Sequence, residues 1–238
     1  MKRRILIASP VKDAFPAHYV KAIVELLMNP PPGCGLGLMH SRSGGIHFAR
    51  DQMADYALKH NYDETIFWDI DLIPSLAMFH RLCSHDTADI VCGFYAKKDP
   101  LTHFNVQQIT SATPDPTTGL IEVSRCAIGF SKINSRVFRK IIADTPERAY
   151  NLMNEGESRP TPYHQLFPSE LIESEPGKLR LYLGEDYGFL RLADQSGFRP
   201  LLDPQLLVPH LGECAFPIDT DVLLKALAEN WRQTPPLP

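Results

Sequence analysis

The chain has few cysteines, no long apolar run and no basic excess, and each shortage excludes a class of protein. Five cysteines (Cys34, Cys83, Cys92, Cys126 and Cys214) are scattered, odd in number and without a C-x-x-C pair. That pattern suggests neither a disulfide framework nor a zinc site, and reduced thiols in a cytoplasmic protein are expected. No stretch approaches the roughly 18 apolar residues of a membrane span, so no integral membrane segment is expected. The apolar run behind Met1-Lys2-Arg3-Arg4 meets Pro10 well short of a signal-peptide core. A formal charge of −4 lacks the basic excess of a broad nucleic-acid surface, and the chain holds no internal repeat. What is present, 238 residues with 44% hydrophobic content, is enough for one large α/β domain.

Strand-like runs alternate with stretches of helical period, which predicts a Rossmann-like sheet covered by helices on both faces. Residues 4–9 read as a buried strand, and 16–28 as a helix with the stripe Val20, Ile23, Val24 and Leu27, ended by Pro30-Pro31-Pro32-Gly33. A strand near 36–40, a loop at 41–45, a helix at 46–60, a strand at 65–69, a helix at 75–84 started by Pro74 and a strand at 89–94 follow. Together they make 1–98 a nucleotide-binding half.

The turn-rich stretch 97–120 predicts an exposed hairpin or loop, 121–131 a strand and 135–142 a helix. Segment 144–180 carries five prolines from Pro146 to Pro176 with few periodic runs, and is expected on the acceptor side. Gly184-Glu185-Asp186 opens a helix with the stripe Phe189, Leu192 and Ala193 and a stop at Gly197. Short strands are expected at 198–203 and 206–208, which makes 120–216 the acceptor and catalytic half. The tail, 217–238, holds a helix candidate at 219–231.

The most informative residues are Trp68-Asp69-Ile70-Asp71, where an apolar run delivers two carboxylates at its carboxyl end. Open α/β sheets place their ligands there. In extended backbone alternate side chains share a face, so Asp69 and Asp71 would point at one hard cation. Acidic residues at strand ends also serve as turn formers and helix caps, so the later motifs decide the weight of this one.

Six pieces stand in order: Arg4-Ile5-Leu6-Ile7-Ala8-Ser9-Pro10, a helix holding Ala49-Arg50-Asp51, the strand ending in Asp69-Ile70-Asp71, Cys126-Ala127-Ile128-Gly129-Phe130 before a helix, Gly184-Glu185-Asp186, and His210. In order and wording they resemble the GT-A glycosyltransferases, which move a sugar from a nucleoside diphosphate to an acceptor, and they span most of the chain. The resemblance implies a GT-A type single domain and a bound Mn²⁺ or Mg²⁺. It puts Asp71 and His210 on that ion, and Asp69 nearer the donor ribose or the water shell of the metal.

By the same resemblance Ala8, Ser9 and Pro10 receive the nucleotide base, and Gly129 lets the backbone approach the sugar. Lys97, in a basic pair with Lys98, stands where some relatives contact the donor. Asp186, with Glu185 beside it, is the expected general base of inverting members, whereas retaining members use such acids to position substrates. Structural readings stand beside these: a hydrogen-bonded strand-end histidine for His210, a solvated loop for the lysines, and helix capping for Glu185 and Asp186. Arg50 shares a helix face with Ile46, Met53 and Ala57, so its guanidinium needs a partner: Asp69, the diphosphate, or another acid in a structural ion pair. Asp51 stands where the family usually has Asn.

The partners implied are a UDP- or GDP-sugar and an acceptor that is a glycan, a lipid-linked sugar or a modified nucleobase. A haloacid-dehalogenase-type phosphatase would carry its D-x-D on the first strand, followed by Gly-Thr, and a sugar nucleotidylyltransferase would show a Gly-rich loop where Ser9-Pro10-Val11-Lys12 stands. The alternatives that remain are a non-enzymatic nucleotide- or carbohydrate-binding module on the same scaffold, or a viral DNA-modifying glycosyltransferase.

Overall fold

The computed structural model describes residues 2–12, 14–42, 44–98, 104–109, 113–153, 158–173, 180–212 and 215–216. In chain order the elements are β1 (Arg3–Pro10), α1 (Ala17–Met28), β2 (Cys34–Ser41), α2 (Ile46–Lys59), β3 (Glu64–Trp68), α3 (Leu76–Ser84) and β4 (Ile90–Phe94). Then come β5 (Val106–Ile109), β6 (Ile121–Cys126), β7 (Phe130–Asn134), α4 (Ser135–Asp144), β8 (Ala149–Leu152) and β9 (Thr161–His164). The last are β10 (Glu170–Glu173), β11 (Arg180–Leu183), α5 (Glu185–Gln195), β12 (Pro200–Leu207), β13 (His210–Leu211) and β14 (Ala215–Phe216). Cys214 and the helix expected at 219–231 lie outside the described residues.

The central sheet has eight strands in the order β2-β1-β3-β7-β4-β12-β6-β5. β7 lies antiparallel to β3 and β4, and β6 antiparallel to β12 and β5, while the other six strands share one direction. The result is the mixed, mostly parallel α/β domain expected for a GT-A type protein.

Alternation along β1 shows how the sequence builds two layers. Leu6 and Ala8 face a core that takes Met53, Ala54 and Ala57 from α2, Phe138 from α4 and Phe189 from α5. Ile5 and Ile7 face the opposite core, with Tyr19, Ile23 and Leu26 from α1 and Phe79 and Leu82 from α3. Cys34, Cys83, Cys92 and Cys126 are free and buried. No helix among the described residues is long and apolar enough to cross a membrane.

Several expectations change. On α1 the inward face is Tyr19, Ile23 and Leu26, while Val20, Val24 and Leu27 are exposed. Tyr19 turns the helix inward because its ring packs 4.3 Å from Trp68 and its hydroxyl donates to Ser9 Oγ at 2.8 Å, so an aromatic with a polar tip outcompetes the aliphatic stripe. The strand expected at 121–131 is two strands: β6 near one edge, and β7 inserted between β3 and β4, with the crossing made through Ala127-Ile128-Gly129. Conversely, 198–203 and 206–208 form one strand, β12, whose register against β4 shifts between Leu202 and Leu207. Helix α3 is capped by Ser75, whose side chain accepts from the Met78 amide, so Pro74 precedes the cap.

In segment 144–180 the described residues include β8 paired to β9 and β10 paired to β11 as antiparallel ribbons. Asp51 anchors it to α2 by accepting the amides of Leu166 and Phe167 at 2.9 and 3.0 Å and the Tyr150 hydroxyl at 3.1 Å. Pro168 in turn seats α5, because a Cβ on Gly188 would fall 1.9 Å from the Pro168 carbonyl oxygen.

Candidate functional site

Strands β1, β3, β4 and β12 point their carboxyl ends to the same side of the sheet, and the acidic motif lies there. β3 stops at Trp68, and the Leu72 amide donates back to the Asp69 carbonyl at 3.0 Å, so residues 69–72 form a turn. This replaces the extended backbone expected from the motif. The turn is fastened on every side. Trp68 Nε1 donates to the Leu72 carbonyl at 3.1 Å and His18 Nε2 to that of Ile70 at 2.9 Å. The Ile73 amide donates to Pro209 at 2.9 Å and the Leu211 amide to Asp71 at 2.8 Å, which sews the turn to the strand carrying His210.

The two carboxylates of the turn take different partners. Asp71 Oδ2 lies 2.5 Å from Lys98 Nζ and 3.5 Å from His210 Nε2. Burial alone would raise the Asp71 carboxyl, but hydrogen bonding from His210 and Lys98 outweighs it and holds the group down at about 2. His210 Nδ1 lies 2.7 Å from the Ala96 carbonyl oxygen, which can only accept, so Nδ1 carries a proton and Nε2 is the ring nitrogen that faces Asp71. A ligand histidine is commonly oriented by such a backbone carbonyl.

Asp69 instead meets Arg50, whose Nη2 lies 3.1 and 3.3 Å from its two oxygens. Arg50 is buried, and its Nη1 donates to Glu185 Oε1 at 3.1 Å and also to Asp186. One guanidinium therefore joins the acidic turn after β3 to the acidic start of α5, two motifs more than a hundred residues apart in the chain. Burial pulls the Arg50 guanidinium down, but the negative charges of Asp186, Asp69 and Glu185 push it above its ordinary value. Three carboxylates around one cation leave excess negative charge, and burial, reinforced by Glu185 and Asp69, lifts Asp186 to about 7 despite Arg50. Burial raises Asp69 in the same way, against Arg50.

Asp69, Asp71, Lys97 and His210 line one cavity of about 320 Å³, together with Tyr95 and Asn105. Gly129 is buried beside two of these residues: the Asp69 amide donates to the Gly129 carbonyl at 2.7 Å, and the Gly129 amide donates to the Tyr95 hydroxyl at 3.1 Å. A Cβ on Gly129 would stand 2.5 Å from Asp69 Oδ2, so only glycine allows this approach. Ala8 and Ser9 are buried at the end of β1, and Ser9 Oγ is taken by Tyr19, which leaves Pro10 as the accessible residue of that trio.

Lys98, Tyr95 and Asn105 belong to the site, although the motifs did not single them out for it. Asn105 is fully buried; its Oδ1 accepts the Tyr95 amide at 3.0 Å and its Nδ2 donates to the carbonyls of Gly93 and Ala127 at 3.0 and 3.2 Å. It thus fixes the end of β4 against the 127–129 crossing. A polar residue inside a turn-rich stretch gives no sequence signal for such a role, whereas the Lys97-Lys98 pair was visible and only the choice between its members was not.

Among the described residues no three His, Cys, Asp or Glu side chains are grouped to hold a metal ion. The residues that could hold one are a pair, Asp71 through Oδ2 and His210 through Nε2. Such a pair fits a Mg²⁺ or Mn²⁺ that takes its remaining ligands from substrate phosphate and water.

The α/β fold and its acidic carboxyl-end site define a class of protein but not a member of it. No family model matches the chain, and no curated protein matches it. Among solved structures, the protein titled A197 from STIV superposes with a TM-score of 0.53 at 19% identity, over 91% of this chain and 87% of that one. A likeness at this identity shows the shared fold.

Proposed function

We propose that this protein is a metal-dependent glycosyltransferase that moves a sugar from a nucleoside-diphosphate sugar, a UDP- or GDP-sugar, to an acceptor hydroxyl. The observation that carries the reading is Arg50, which holds Asp69 of the acidic turn and Asp186 of the helix start on one guanidinium beside one cavity. In this reading the donor site and the acid–base group would lie next to each other, as sugar transfer requires.

In this reading the donor diphosphate lies in the cavity against Lys97 and Lys98, and Gly129 leaves room for the Asp69 carboxylate and the Tyr95 hydroxyl that line it. Asp71 and His210 would hold Mn²⁺ or Mg²⁺, which when bound would supply a Lewis acid for the charge that builds on the leaving diphosphate. Asp186 accepts the proton of the acceptor hydroxyl as its oxygen attacks the anomeric carbon, the bond to the diphosphate breaks, and the nucleoside diphosphate leaves. A carboxyl lifted to about 7 is basic enough for that task near neutral pH. The acceptor is a glycan, a lipid-linked sugar or a modified nucleobase.

Thermal melting with UDP, GDP, CMP and dTDP, each with and without Mn²⁺, tests the donor site, since a ligand bound only by the native state raises the melting point. A shift for one nucleoside diphosphate that requires the metal is expected. No shift under any condition would favour the non-enzymatic binding module.

A further inference from the structure

Lys98 and His210 converge on the same oxygen, Asp71 Oδ2, at 2.5 and 3.5 Å. His210 brings a ring nitrogen held in place through Nδ1 by the Ala96 carbonyl, whereas Lys98 brings a full positive charge on a flexible four-carbon stem. Lys97, its neighbour, lines the cavity but pairs with no acid among the described residues. The ammonium therefore stands where the donor pair would place a cation.

We propose that Lys98 is a tethered counter-ion that fills the cation position at Asp71 in the ligand-free protein and yields it when a divalent ion arrives with a nucleoside diphosphate. This rests on the donor-site reading above. An ammonium and a divalent ion that share one carboxylate oxygen lie within about 4 Å of each other and repel strongly. A diphosphate removes the conflict, because its oxygens accept the lysine while Asp71 turns to the ion. The stem needs only rotation about its own bonds to make the exchange.

Tethering keeps the ammonium at high local concentration, so the free ion alone competes poorly. Metal and nucleotide then bind with positive coupling, and by linkage each tightens the other by the same factor. In Lys98 the chain would carry a device that keeps the ion off the site until the donor is present.

The test measures Mn²⁺ affinity by the electron paramagnetic resonance of the free ion, alone and with UDP or GDP, for the wild type, Lys98→Met, Lys98→Arg and Asp71→Asn. The wild type should bind Mn²⁺ weakly alone and more tightly with the nucleotide. Lys98→Met should bind Mn²⁺ alone about fivefold to tenfold more tightly than the wild type, the effect of removing one competing exposed charge. Its gain from nucleotide should shrink, while Lys98→Arg keeps the wild-type pattern.

Equal affinity of Lys98→Met and wild type for Mn²⁺ alone, with the nucleotide gain unchanged, overturns the proposal but leaves the donor site standing. No Mn²⁺ binding by any variant with either nucleotide overturns the donor-site reading itself, and this proposal with it.

Discussion

Arg50 Nη2 lies 3.1 Å from Asp69 Oδ1, on the far side of a guanidinium whose other nitrogen meets Glu185 and Asp186. Arg50 comes from α2, so three separate elements meet at one buried charge. Its Nε has no hydrogen-bond partner among the described residues, so its hydrogen bonds all pass through the two terminal nitrogens. A buried ion pair is weak evidence of net stability, but removing one partner leaves the others uncompensated.

Arg50→Met should therefore lower the unfolding free energy by about 3–5 kcal/mol, read from urea denaturation near pH 7.5. Arg50→Lys, which keeps the charge but loses the fork, should recover part of that loss. A loss below about 1 kcal/mol for Arg50→Met would mean that solvent, not Arg50, balances the three acids.

Asp71→Asn and Asp186→Asn separate the two ends of the site. The first should abolish the metal-dependent rise in melting point with nucleoside diphosphate while the fold persists. The second should keep that rise and reduce transfer by about 10²- to 10⁴-fold, the usual contribution of a general base. In the wild type the transfer rate should climb as pH rises through about 7, where Asp186 loses its proton. The reverse pattern in the two variants would exchange their roles.

Asp51 gives a pH prediction for stability. Burial lifts its carboxyl from 3.8 to about 7, although three hydrogen bonds to the charged form oppose the shift. The folded state thus holds a proton that the unfolded state has released between those values, and Asp51 lowers stability as pH rises through that window. Asp51→Asn should raise the melting point at pH 8 more than at pH 4.5, because an amide accepts the Leu166 and Phe167 amides without a charge to bury. An equal effect at both pH values would show that Asp51 does not titrate between them.

Much of the fold was legible because it rests on local periodicity. The apolar run before Asp69, the acidic start of α5 and the glycine stop at Gly197 were placed to within a residue or so. The pairing of Arg50 with Asp69 was among the partners weighed from the helix face. What could not be read depends on contacts distant in sequence: Tyr19 overrode the aliphatic stripe by reaching Ser9 and Trp68, and Gly129 split one expected strand because Asp69 and Tyr95 crowd it. The D-x-D spacing suggested two carboxylates on one face. The turn closed by Leu72 is set by the 209–211 segment, which the spacing alone does not contain.

Gly129 permits a comparison that separates binding from stability. An alanine there would bring a Cβ to 2.5 Å from Asp69 Oδ2 and 2.7 Å from the Tyr95 hydroxyl. Both neighbours are held, Asp69 by Arg50 and Tyr95 by the Gly129 amide itself, so the strain must move the acidic turn. The expected loss of stability is about 1–3 kcal/mol, as for other overpacked sites. Gly119 is the control: its φ of +72° penalises alanine through the backbone by about 1–2 kcal/mol, and nothing lies within 4 Å of its Cβ position. Gly119→Ala should therefore lose comparable stability yet keep the full nucleotide-dependent rise in melting point, whereas Gly129→Ala should lose most of that rise. If the two variants keep the rise equally, Gly129 is a packing residue and the sugar does not approach the backbone there.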